Sequence, residues 1–292
     1  MNRKLLLAAL CVSWGILVFL VTWVLTFPGR AVADRAAAEV LTWSAGRSVL
    51  EMGDIGPWWV GLRATDVRLY DHDPRKPDLP STLKFAADKV RARVSPWGLL
   101  GGNWNVTAAL ISGETTIDVA VTIRMDEERS KGWTTTRAWV SSPNARLEDV
   151  SMLAPLPMVM NGLVDLALDL TGEGGMRTAA GKASIVGKGL SITELTLEGM
   201  GDLGFGEIGI DVLDLELEVE EGRARFVKGE ISGPMFDAEI GGDITLRDEP
   251  GRSNLRVTAV VEARGEMEKY AAFAGEARWA DGKMHFVCTG YV

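Results

Sequence analysis

Histidine is scarce. The 292 residues hold two, His72 and His285, neither set in a recognisable arrangement with the Cys, Asp or Ser partners that acid–base or zinc chemistry recruits. HExxH and GxSxG are missing, so the chain spells out neither a metalloprotease nor a serine hydrolase. Cysteine is as rare: Cys11 lies in the apolar N-terminus and Cys288 near the C-terminus, with no CxxC spacing. That excludes a disulfide scaffold and a zinc finger. Positive charge is also in deficit, with 31 Lys and Arg against 40 Asp and Glu and a net charge of −9. Setting aside residues 1–30, which carry Arg3, Lys4 and Arg30 and no acid, leaves −12 on the remainder. A body that acidic, with no long basic run, is not built for nucleic acid. Long amphipathic helices are lacking after residue 50, apart from a short candidate from Glu266 to Ala274.

What is present begins with MNRK and then 23 uncharged residues from Leu5 to Phe27. At about 1.5 Å per residue such a helix crosses a bilayer core of roughly 30 Å. Arg3 and Lys4 before the run, and only Arg30 closely after it, predict a cytoplasmic N-terminus with the body outside, and Trp23 and Phe27 at the far interface. Ala31-Val32-Ala33 is a signal-peptidase-type A-x-A site, the rival reading; signal h-regions reach about 15 residues, shorter than this run, which favours an uncleaved anchor.

After Pro28-Gly29, apolar residues at helical spacing (Val32, Ala36, Val40, then Leu41, Ala45, Val49) predict a membrane-proximal helix over 31–50, ended near Gly53. Alternation with period two then takes over and runs to the C-terminus, punctuated by Gly, Pro, Asp and Asn. Two stretches interrupt it, the proline-bearing Asp71 to Thr82 and the segment 141–162, which divides the body into halves at 51–140 and 163–292. The expected fold is mainly β: an anchor, a short helix, and an elongated, curved, largely antiparallel sheet. With 47% apolar residues and no helices to cover it, the apolar face must meet a second sheet, close into a trough, or present itself to a greasy ligand.

The stretch DVLDLELEVEEGRARF, from Asp211 to Phe226, is the densest candidate for chemistry, with Asp214, Glu216, Glu218 and Glu220 at alternate positions. Taking Glu221-Gly222 as a two-residue turn sets Glu220 opposite Arg223, Glu218 opposite Arg225, Val219 opposite Ala224 and Leu217 opposite Phe226. A three-residue turn puts Val219 against Arg223, sending side chains to the wrong face. The sixth position of a calcium loop needs glycine, where this run has Val219. The carboxylates therefore read as a solvated strand face, with no metal or cofactor. The other half of the motif, Leu213, Leu215, Leu217 and Val219 with Phe226, is the candidate lipid or partner face. Trp58 and Trp59, among ten tryptophans, join it as candidates because they follow the membrane-proximal helix.

Three further patterns read as structure. GFGEIG matches G-x-G-x-x-G, but a strand pattern follows it where a dinucleotide site needs a helix. TGEGGMR, from Thr171 to Arg177, is a loop tip. Asn105-Val106-Thr107 is a formal glycosylation acceptor that matters only in a suitable secretory pathway.

The order of features (basic start, one anchor, FPGRAVADRAAAEV leading to GDIGPWWVGLRATDVRLYD, then FVKGEISGPMFDAEIGGDITL and a closing ADGKMHFVCTGYV) resembles the type II secretion protein N family (GspN) in its longer bacterial variants. More distantly it resembles the AsmA-like proteins. The first resemblance implies a non-enzymatic, single-pass inner-membrane protein with a periplasmic β-domain that meets other secretion components. The second implies a concave apolar sheet face that accommodates phospholipid acyl chains. Neither implies a catalytic residue. A periplasmic hydrolase using His72 or the acid strip is the remaining, third reading.

Overall fold

The computed structural model describes residues 3–44, 46–58, 61–72, 81–100, 102–125, 133–150, 158–193, 196–197, 201–202, 206–247, 253–268, 279 and 281–291. Side chains are described for these except residues 3–11, 16, 17, 20, 43, 99, 100, 125, 133, 196, 197, 201, 202, 266 and 291. Trp59, most of the proline-bearing loop, residues 151–157 and most of the short helix expected at 266–274 lie outside the described residues.

Two helices open the chain, α1 (Arg3–Thr26) and α2 (Gly29–Trp43). Pro28 separates them, as expected of a residue with no N–H to continue a helical ladder. The second helix stops earlier than its apolar spacing predicts. Gly46 adopts φ 81° and donates its N–H to the Leu41 carbonyl at 2.8 Å, a left-handed cap that closes the last turn. Val49, read from spacing as a helical position, instead pairs with Tyr70 in a strand.

The strands follow as β1 (Ser48–Glu51), β2 (Ile55–Trp58), β3 (Gly61–Asp71) and β4 (Thr82–Val94), a short α3 (Pro96–Leu100), then β5 (Asn103–Ser112), β6 (Thr115–Met125) and β7 (Trp133–Arg146). The rest are β8 (Val159–Thr171), β9 (Ala180–Thr193), β10 (Thr196–Leu197), β11 (Gly201–Asp202), β12 (Ile208–Glu220), β13 (Arg223–Ser232), β14 (Phe236–Thr245), β15 (Asn254–Ala263) and β16 (Met284–Tyr291). All but β10 and β11 join one 14-stranded antiparallel sheet, ordered β1-β3-β4-β5-β6-β7-β8-β9-β12-β13-β14-β15-β16, with β2 also on β3. The end strands β1 and β16 do not pair with each other, so the sheet is open. Among the described residues the only other sheet is the β10–β11 pair, too small to cover it.

The break expected from Ser141 onward starts later. Ser-Ser-Pro-Asn looks like a turn in sequence, yet β7 runs through it with a bulge between Ser142 and Ala145. Asn144 takes φ 52° there, its N–H donating to Asp165 Oδ1 at 2.7 Å. A bulge admits proline and a left-handed residue without ending the ladder. β7 then pairs with β8, so the two halves are one continuous sheet.

The Glu221-Gly222 hairpin forms in the two-residue register: Glu220 faces Arg223, Glu218 faces Arg225, Val219 faces Ala224 and Leu217 faces Phe226. Both turn residues have positive φ, 49° and 71°, the geometry that fits strand twist. The tip is not free in solvent: Gly222 donates to Ala179 O at 2.9 Å and accepts from the Leu246 N–H at 2.7 Å. One detail departs from the sequence reading. Glu218 takes its ion pair from Lys182 of β9 at 2.9 Å, with Lys182 79% exposed. The hydrogen bond and charge of Glu218 hold the Lys182 ammonium above its ordinary pKa. A raised lysine pKa stabilises the fold fully below the unfolded value, about 10.4, and that contribution is lost as pH rises through the folded value. Reversing Glu218 to Lys should therefore lower the denaturant midpoint slightly, and Lys182→Glu in the same chain should restore part of it near pH 7 and not above pH ~11. Independent effects of the two changes at neutral pH would sink the pairing.

Candidate functional site: the two faces of the sheet

From β8 to β13, beside the stretch Leu213 to Val219, cross-strand register assigns side chains to a face. On one, Val164, Leu166, Leu168 and Leu170 of β8 sit beside Gly187, Ile185, Ala183 and Gly181 of β9. These continue into Leu213, Leu215, Leu217 and Val219 of β12 and then Ile231, Gly229, Phe226 and Ala224 of β13. The five sequence candidates on this hairpin thus share one apolar face.

The buried part of that face forms two clusters. One gathers Ala145, Leu147, Val164, Leu190 and Ile210, with Leu213, Ile231 and Phe236 against it. The other gathers Leu170, Ala179, Val219 and Ala224, with Leu217 and Ile244 against it. Leu190 reaches the first cluster through two glycines: a Cβ on Gly162 or Gly187 would come within 2.8 Å of one of its two methyls. Leu215 belongs to neither cluster and stands in the register row between them, facing Gly229, which has no side chain to offer. All members of both clusters lie on β7 to β14 or the turns joining them. Farther along the same face, at the β16 edge, Phe286 is 47% exposed beside Ala259.

The opposite face is polar, and one register row can be followed across it. It runs Trp58, Gly61, Arg93, Thr107, Ala120, Trp139, Asp169, Lys182, Glu218, Arg225. The acid strip lies here, with Asp214 accepting from Lys228 and Glu218 from Lys182. Trp58 lies here too, on the face opposite Leu213 to Val219, so the structure does not bring these candidates together. Between Trp58 and Trp139 is a pocket of about 310 Å³, with Arg91, Arg93, Thr107 and Asp118 among its lining. The Arg91 guanidinium sits 5.3 Å from the centroid of the Trp58 ring. Arg93 Nε donates to Thr107 Oγ1 at 2.8 Å. KVRARV carries the signal for this pocket, since Lys89, Arg91 and Arg93 alternate and must share a face; its meaning depends on which tryptophans the long-range register brings beside them.

The histidines stand apart from each other and from the acid strip. His72 donates its backbone N–H to Arg47 O at 2.7 Å at the end of β3, seven ladder steps from β12, about 34 Å of sheet contour. His285 stacks on Trp279 with centroids 4.1 Å apart, its Nε2 3.0 Å from Asp281 Oδ2. That hydrogen bond and the Lys283 N–H hold the Asp281 carboxyl below its ordinary range. Cys288 pairs with Val257 and His285 with Val260, so thiol and imidazole point to opposite faces. Among the described residues no three metal-ligating side chains converge.

α1 spans 24 residues, with Trp14, Phe19, Val24 and Leu25 exposed by 67%, 65%, 58% and 79%. Among the described residues no helix is long and apolar enough to cross a membrane, a statement that does not reach the side chains at 3–11, 16, 17 and 20 of α1. Comparison with family models, curated proteins and solved structures returns no match.

Proposed function

We propose that this chain is a non-enzymatic accessory protein of type II secretion, anchored in the bacterial inner membrane by residues 5–27 with its sheet in the periplasm. The observation that carries the working surface is the open 14-stranded sheet, whose apolar face is covered by no second sheet among the described residues. The assignment to secretion rests on the family resemblance given above, and the anchor on the uncharged run from Leu5 to Phe27 and the exposed side chains of α1. Deleting the gene should leave growth unchanged and reduce the proteins that reach the medium by the type II route, measured by proteomics of culture supernatants. An unchanged secretome would remove the secretion role.

A second reading, a lipid-binding or lipid-transfer module of the AsmA type, is favoured by one specific feature: the continuous apolar row of Leu166, Ile185 and Leu215 ending at Gly229, with a buried cluster on either side of it along the strands. An acyl chain laid along that face would remove apolar area from water at about 25 cal/mol per Å². Mass spectrometry of the chain extracted in several mild detergents should then find phospholipid in near-stoichiometric amount; its absence in all of them would leave the scaffold role alone.

A further inference from the structure

The pocket between Trp58 and Trp139 has features that a solvated strand face does not need. Arg63 and Arg91 lie directly opposite each other in register, and Arg93 follows Arg91 on the same face. Like charges directly across a sheet repel. Among the described residues neither Arg63 nor Arg91 has an ion-pair partner to relieve this. The pocket floor is also shaped by small residues, Thr107, Ala109 and Ala120, between two tryptophan walls. One carboxylate, Asp118, stands two ladder steps from Arg91 across Ala109, about 10 Å between their Cα atoms.

The position is as specific as the charge. A Cβ on Gly29 would sit 2.2 Å from the Ile55 carbonyl oxygen, so the start of α2 and the start of β2 touch backbone to backbone. Gly29 is three residues past the end of α1, and Trp58 is three residues past Ile55, about 10 Å along the strand. The headgroup layer adds several ångströms beyond the hydrocarbon on each side. A chain anchored through α1 therefore tethers this pocket close to the headgroup layer, in a body whose net charge is otherwise acidic.

We propose that the pocket seats the headgroup of a membrane phospholipid carrying an ammonium group, a phosphoethanolamine headgroup. Its phosphodiester sits between Arg91 and Arg93, and its ammonium at Asp118 beside Trp139. Arginine forks match phosphate oxygens, and a cation over an indole gains from the ring quadrupole. The phosphate neutralises Arg91, which the register sets against Arg63, and the carboxylate discriminates against headgroups without an amine. The lipid so held stands against the polar face, so this site is distinct from the apolar face of the second reading. It rests on the anchor reading for its closeness to the headgroup layer.

The test titrates the full chain, solubilised in a non-ionic detergent, with dioleoyl phosphatidylethanolamine, dioleoyl phosphatidylglycerol or inorganic phosphate, and counts adducts by native mass spectrometry. Arg91→Gln with Arg93→Gln should weaken phosphatidylethanolamine binding at least about tenfold, the scale of losing a charge-assisted hydrogen bond, and the double lysine variant should recover part of it. Asp118→Asn, an exposed change, should erase the preference for phosphatidylethanolamine over phosphatidylglycerol while keeping binding of the latter. Undiminished phosphatidylethanolamine adducts on the double glutamine variant would overturn the proposal, and their loss from Leu215→Asp alone would reassign the lipid to the apolar face. Inorganic phosphate binding as tightly as the lipid would equally overturn it, in favour of a free-anion site. Alkaline carbonate extraction of native membranes separates the two levels: release of the wild-type chain sinks the anchor, whereas retention with unchanged adducts sinks only the headgroup site.

Discussion

Replacing Leu190 with alanine is expected to destabilise the sheet by about 2–5 kcal/mol, the range for a buried leucine truncated in a well-packed site. Leu190 is 2% exposed and lies against Val164, itself 2% exposed, in the cluster that joins β7, β8, β9 and β12. Its two methyls occupy the space that Gly162 and Gly187 leave by having no Cβ. A leucine in a hole built by two glycines has no neighbour able to expand into the void, so the cost should fall in the upper half of the range. Gly187→Ala should err in the opposite sense, overpacking the same hole by about 1–3 kcal/mol. Denaturant midpoints at an unchanged m value measure both. A loss below about 1 kcal/mol for Leu190→Ala would mean that the cluster closes around the gap and that the knob-and-hole account is wrong.

Leu215→Asp is expected to have the largest functional effect. The side chain faces Gly229 and stands between the two buried clusters without joining either, so a charge here spoils the apolar surface more than the packing. Burying a leucine is worth about 1.5–3 kcal/mol, and an unpaired carboxylate against an acyl chain or an apolar partner costs more. Secretion in a strain carrying the variant, and the phospholipid recovered beyond the pocket adduct that depends on Arg91 and Arg93, should each fall at least about tenfold. Glu216→Gln, one residue along and on the opposite face, should leave both unchanged. Equal losses from the two substitutions would show that the effect is one of folding, and unaffected lipid and secretion in Leu215→Asp would remove the apolar face from the function.

The hairpin at Glu221-Gly222 was legible because two local facts, a turn dipeptide and strict alternation, admit one register and the competing register puts arginine against valine. The strand content was legible for the same reason. The end of α2 was not, since apolar spacing continues through Val49 while Gly46 stops the helix by backbone geometry. Ser-Ser-Pro-Asn misled in the other direction: turn residues also build bulges, and only the ladder to β8 tells the two apart. For the candidate residues, local alternation places Leu213 to Val219 with Phe226. It says nothing about which face Trp58 takes, because that depends on a chain of register assignments running through β3 to β9. The arginine pocket lay beyond reach for the same cause, being assembled from β2, β4, β5, β6 and β7.

The strand order has a kinetic corollary. From β3 to β16 each strand of the large sheet lies beside the one before it in sequence, with only the small β10–β11 excursion to step over. Contacts of that kind close short loops, and low contact order goes with fast folding. A chain synthesised N-terminus first can add each strand to a ladder already present, without waiting for residues still to come. The exposed edge then moves along with synthesis, so the aggregation-prone surface at any moment is one strand wide.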